Sequence, residues 1–140
     1  MGELSAQARE MAWLVDNFAA EVPGIEHAVV LSSDGLLLTG SAGLHADVAE
    51  KFAALASGVL SLAHGSARLF ELGGCEQAVI RLERGFLFVS AISGGCALAV
   101  QAAKNCDMKV VGYQMALFAD RVGHRLTPEV RGELRAVLTP

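Results

Sequence analysis

LHADVAEKFAALASGVLSLAHGSARLF, Leu44–Phe70, is the stretch whose reading decides the fold. It contains no proline. Val48, Phe52, Leu55, Val59 and Leu62 recur at alternating four- and three-residue steps. That spacing puts large apolar side chains on one face of an α-helix. A second face carries Ala46, Ala49, Ala53, Ala56, Leu60 and Ala63, while Asp47, Glu50, Lys51, Ser57 and Ser61 supply the few polar groups. A helix resting on one sheet needs a single apolar stripe, so two stripes imply two packing partners. The expectation is that the large stripe lies on the chain's own sheet. The small-residue stripe then meets the same helix in a second copy of the chain. The alternative is a helix buried on all sides within one domain.

Outward from this helix, the chain alternates cap and turn signals with short apolar runs. Ser5 to about Ala20 reads as a helix with Ser5 as N-cap and a stripe of Leu4, Ala8, Met11, Val15 and Phe18. Trp13 lies off that stripe and is expected to be partly buried at the domain edge, with a binding hot spot as the alternative. Pro23-Gly24 stops the helix. Ile25–Leu31 is rich in β-branched residues, and Leu36–Thr39 follows it across Ser33-Asp34-Gly35. Asp-Gly suits a hairpin in which both central residues take positive φ. His45 or Asp47 caps the long helix.

After the long helix, Glu76–Glu83 alternates, with Gln77, Val79 and Arg81 on one face and Ala78, Ile80 and Leu82 on the other. Phe86–Ile92 is apolar on both faces, as a central strand is. Cys96–Ala102 is the last strand. Asp107 caps a helix from about Met108 to Val122, and Thr127-Pro128-Glu129 opens a short final helix docked by Val130, Leu134 and Val137. The predicted fold is α+β: a five-stranded antiparallel sheet sandwiched by helices, in the order α-β-β-α-β-β-β-α plus a short C-terminal helix. One domain over residues 1–125 and a helical tail over 126–140 are expected.

Composition narrows the function. The 140 residues suffice for one domain, and 53% of them are hydrophobic, with a mean hydropathy of +0.44. That is high for a small lone domain, so a partner is expected to cover some apolar surface. A net charge of −4 without like-charge runs removes the electrostatic basis for nucleic-acid or anionic-membrane binding. No apolar run is long enough to span a bilayer, and the N-terminus lacks a signal-peptide plan, so the chain reads as cytoplasmic. Cys75, Cys96 and Cys106 fit a reducing compartment and read as small packed residues.

Sequence motifs for catalysis are missing. There is no GxxxxGK[ST] phosphate cradle, no GxSxG, no HExxH and no paired CxxC. No catalytic, metal or cofactor residues are expected, and an enzyme is the least favoured reading. His27 reads as packed among apolar neighbours. Arg68, Arg81 and Arg84 read as solvated charges beside Glu71 or Glu83, with an arginine finger as the alternative.

The element order, the strand before Ser33-Asp34-Gly35, then DVAEKFAALASGVL, GFLFVSAISGGCALAV and the stretch Asp107–Gly112 before Tyr113 together resemble the Roadblock (dynein light chain) family. The similarity runs from about Ala8 to Gly123. It implies a profilin-like fold and a homodimer. In that homodimer the strand after the long helix pairs across a two-fold axis, and the two long helices lie side by side. Gln77, Val79 and Arg81 then join Ala46, Ala49, Ala53, Ala56, Leu60 and Ala63 as dimer contacts. Short bacterial members look like partners of Ras-like small GTPases, which makes Glu50, Lys51, Ser57 and Ser61 the candidate partner contacts. Two other functions compete. One is a structural adaptor without effect on nucleotide turnover. The other is a small-molecule sensor with a cavity lined by Phe86, Phe88 and Phe118.

Overall fold

The computed structural model describes residues 5–138. Four helices and five strands follow one another as α1 (Ala6–Glu21), β1 (Ile25–Ser32), β2 (Leu37–Gly40), α2 (Ala46–Leu69), β3 (Gln77–Leu82), β4 (Gly85–Ile92), β5 (Cys96–Ala103), α3 (Met108–Val122) and α4 (Pro128–Leu138). A 3-10 turn, Gly123–Arg125, links the last two helices. This is the expected α+β order.

Local chemistry sets the helix starts. The Ser5 side chain accepts from the Ala8 N–H, and Asp107 accepts from the Lys109 and Val110 N–H groups. His45, not Asp47, caps α2: its Nδ1 accepts from the Asp47 N–H at 3.3 Å. Each satisfies a donor that the first helical turn leaves orphaned. Leu4, expected to head the α1 stripe, lies outside the described residues.

The strands form one antiparallel sheet in the order β2-β1-β5-β4-β3. The hairpin and the meander are therefore joined by β1 pairing with β5, from Ile25 opposite Ala102 to Ser32 opposite Cys96. β5, buried along most of its length, is the middle strand; β4 is internal but one place off centre. The first hairpin differs from expectation at its turn. Gly35 alone takes a positive φ, 84°, and the Gly35 N–H donates to the Ser32 carbonyl at 3.0 Å. A left-handed glycine closing the turn, with a shift of register between Val30 and Leu31, replaces the two-residue loop.

Helices cover both faces. On one, α1, α3 and α4 bury Met11, Val15, Phe18, Val111, Met115, Phe118, Val130 and Leu134 against Val30, Phe86, Phe88, Leu98 and Val100. The Phe18 and Phe118 rings lie 4.7 Å apart. α4 is thus part of the core and not a loose tail. Leu126, Val130 and Leu134 are buried, while Val137, expected to dock, is exposed. Trp13, expected to be partly buried, is 60% exposed on the outer side of α1.

On the other face α2 lies alone, and the fully buried positions come from its small-residue stripe, not from the large one as expected; Phe52 and Val59 of the large stripe pack at the margin of that core. Ala49, Ala53, Ala56 and Leu60 pack on Val29, Leu31, Leu37, Val89, Ala97 and Ala99. Val48, Leu55 and Leu62 point away from that core and are exposed. The sheet supplies the bulk here, chiefly through valines and leucines, so the helix fits closely only with its alanines inward.

Candidate functional site

The candidate surface combines the outer flank of α2 and the free edge of β3. Leu55 is 65% exposed, Leu62 76% and Phe70 68%, and Val48, Leu69 and Leu72 are comparably open. These residues form a continuous apolar band along α2 and the loop after it. Single exposed leucines are ordinary on protein surfaces, whereas a contiguous band marks an interaction site. The opposite flank is polar, carrying Glu50, Ser57, Ser61 and Arg68.

β3 ends the sheet, and none of its side chains is buried. The Ala91 N–H donates to the Glu76 carbonyl at 3.4 Å, so Glu76 faces β4. Backbone groups alternate along an antiparallel strand. The N–H and C=O groups of Gln77, Val79 and Arg81 therefore point outward, away from β4. An edge of this kind is a template for a further strand.

The side chains of those three residues lie elsewhere than their backbone role suggests. They stand opposite Ser90, Phe88 and Phe86 and so share the α1/α3 face, not the α2 face. The Gln77 amide donates to the Ser90 hydroxyl at 2.8 Å and to the Gly112 carbonyl at 3.1 Å. This ties the start of β3 to α3. Arg81 lies over the Phe86 ring, 5.7 Å from its centroid. On the α2 face, Ala78 and Ile80 stand opposite Val89 and Leu87. There β3 extends the apolar band of α2 toward the sheet edge.

The expected contacts therefore divide. Ala49, Ala53, Ala56 and Leu60 are sealed inside the domain and cannot meet a second copy; Ala63 is half-buried and Ala46 is exposed. The large stripe, expected inside, is split: Val48, Leu55 and Leu62 are outside, while Phe52 and Val59 are half-buried and pack against the same core. Helical spacing reveals both stripes, but only the volume of the opposing sheet says which one it accepts. Of the expected partner contacts, Glu50, Lys51 and Ser61 are exposed. Ser57 is half-buried, and its hydroxyl donates to the Ser33 carbonyl at 3.2 Å, so it is engaged inside the domain.

The described residues contain no group of three or more His, Cys, Asp or Glu side chains placed to hold a metal. None of their helices is long and apolar enough to cross a membrane. Cys96 is buried, while Cys75 and Cys106 are half-buried. Burial, helped by the neighbouring Asp107 carboxylate, pushes the Cys106 thiol up, away from nucleophilic reactivity. Phe86, Phe88 and Phe118, the expected lining of a sensor cavity, are packed core residues. His27 is half-buried and its Nδ1 is enclosed without a hydrogen-bond partner.

The same architecture occurs in known structures. A Roadblock/LC7 domain from Streptomyces avermitilis is 39% identical and superposes with a TM-score of 0.75, over 79% of this chain and 92% of that one. MglB of Myxococcus xanthus superposes at 0.76 over 89% and 92% of the two chains, with 11% identity. Profilin of Schizosaccharomyces pombe superposes at 0.62 over 83% and 98%, with 14% identity. At such low identity the last two establish the fold alone, and they make it profilin-like. No curated protein sequence matches the chain. The Roadblock/LC7 domain model matches residues 11–102, and the chain belongs to that family.

Proposed function

We propose that this protein is a non-catalytic homodimer that regulates or scaffolds a Ras-like small GTPase. The observation that carries this reading is the exposed apolar band of α2, Val48, Leu55 and Leu62, together with the unpaired β3 edge. An open edge strand and an exposed apolar flank in one molecule suit self-association by sheet extension. The two α2 helices then lie together and offer one broad ridge. Glu50 and Ser61 stand on the polar side of that ridge and are the first contacts to test; Lys51 stands near the apolar flank.

The GTPase assignment follows from family membership and from the kind of partner that short bacterial Roadblock proteins look suited to. A switch protein is biased when a partner binds one of its conformations better than the other. The test is affinity capture with the GTPases encoded beside this gene, followed by GTP hydrolysis and nucleotide-release rates with and without the protein. A complex with altered rates supports a regulator. A complex with unchanged rates supports a structural adaptor. No complex with any of them removes the GTPase reading.

A further inference from the structure

The apolar band of α2 has a different shape at each end. At its start, Leu44, Val48, Phe52 and Leu55 line a shallow groove with Lys51 and with Leu87, Gln101 and His27 of the inner strands β4, β5 and β1. At its finish, Leu69, Phe70 and Leu72 project as an exposed knob. Glu71 lies within the knob and holds it out through a left-handed backbone with φ of 54°. A hollow and a projection therefore occupy opposite ends of one helix.

α2 runs antiparallel to β3. Its first turns stand near Leu87, the residue opposite Ile80. Its later residues Ala63, Ser66 and Ala67 share a cleft with Glu76–Val79. A two-fold axis that pairs the β3 edge with itself therefore lays a second α2 antiparallel to the first. Val59 is midway between Val48 and Phe70, about 16 Å from each along the helix. An axis level with Val59 would carry each knob onto the other copy's groove. An isologous interface has this reciprocity, each contact occurring twice.

Charge matches as well as shape. The groove's cation is Lys51 and the knob's anion is Glu71. Among the described residues neither side chain has an ion-pair or hydrogen-bond partner of its own. We infer that the Leu69–Leu72 knob of each copy seats in the Val48–Phe52–Leu55 groove of the other, with Glu71 paired to Lys51. This rests on the homodimer reading above and adds what locks it.

A charge-swap series on the full chain tests it, by sedimentation equilibrium with circular dichroism as the check on folding. Lys51→Glu and Glu71→Lys should each weaken the dimer about three- to tenfold, since every pair is broken twice. The double variant should return to within about twofold of the parent. Phe70→Ala should weaken it about tenfold or more, as loss of an apolar anchor does. If the parent is a dimer whose affinity ignores the single reversals, or which the double variant fails to restore, the knob seats elsewhere and only this inference falls. If the parent stays monomeric at every concentration, the homodimer reading falls with it.

Discussion

Glu133 is the residue through which the end of the chain holds its beginning. Its Oε2 accepts from the Ser5 N–H at 2.8 Å. That bond, made to the charged form, holds the carboxyl below the usual carboxylate range. The linkage has one sign. A depressed native pKa stabilises the fold above the unfolded value, and the contribution is lost as pH falls through the native one. Thermal midpoints of the parent should therefore fall more steeply with acidification below about pH 4.5 than those of Glu133→Gln. Parallel profiles would refute the tether. This contact joins Ser5 to a residue near the other end of the chain, and no local pattern announces it. The caps at Ser5 and Asp107 were legible for the opposite reason, and that of α2 was narrowed to His45 or Asp47: donor and acceptor lie within three residues of each other.

At the scale of elements, α2 decides both the fold and the interface. Ala53 is fully buried against the sheet while Leu62 is three-quarters exposed. Ala53→Arg should thus act as a folding lesion. A charged side chain beneath α2 has neither space nor a partner and costs about 3 kcal/mol or more. Leu62→Arg should leave the monomer's thermal midpoint within a few degrees and abolish self-association. Light scattering and thermal melts separate the two. If Leu62→Arg unfolds the protein and Ala53→Arg merely splits it, the faces of α2 have been read the wrong way round. The existence, length and two stripes of α2 were evident from the spacing of Val48, Phe52, Leu55, Val59 and Leu62. Their orientation was not. Periodicity records which residues share a face, whereas the choice of face depends on Val29, Leu31 and Val89, far off in sequence. The order of strands was hidden for the same reason. Each strand and turn is a local signal, but β1 meets β5 only because Ala28, Val29 and Val30 find Val100, Ala99 and Leu98 across the sheet.

For the whole molecule, sheet order makes β3 the border on which assembly depends. Val79 sits at the middle of that border with its N–H directed outward, whereas the N–H of Ile80 faces β4 by the same alternation. Proline is tolerated on an edge strand where no ladder bond is lost, and it blocks any strand that would pair there. Val79→Pro should therefore fold, melt within several degrees of the parent and sediment as a monomer. Ile80→Pro, one residue along, removes a bond to β4 and should destabilise the domain by about 3 kcal/mol. Under the two-fold arrangement, Val79→Pro also parts the two α2 helices and dismantles the ridge offered to the GTPase, although no residue on that ridge has changed. Capture of the GTPase should fall together with the dimer. Capture that survives in a proven monomer would mean that a single α2 is the binding unit. A Val79→Pro protein that remains dimeric would move self-association away from the sheet edge altogether. The exposed face of α3, where Val110, Tyr113 and Leu117 lie open, would then be the surface to examine.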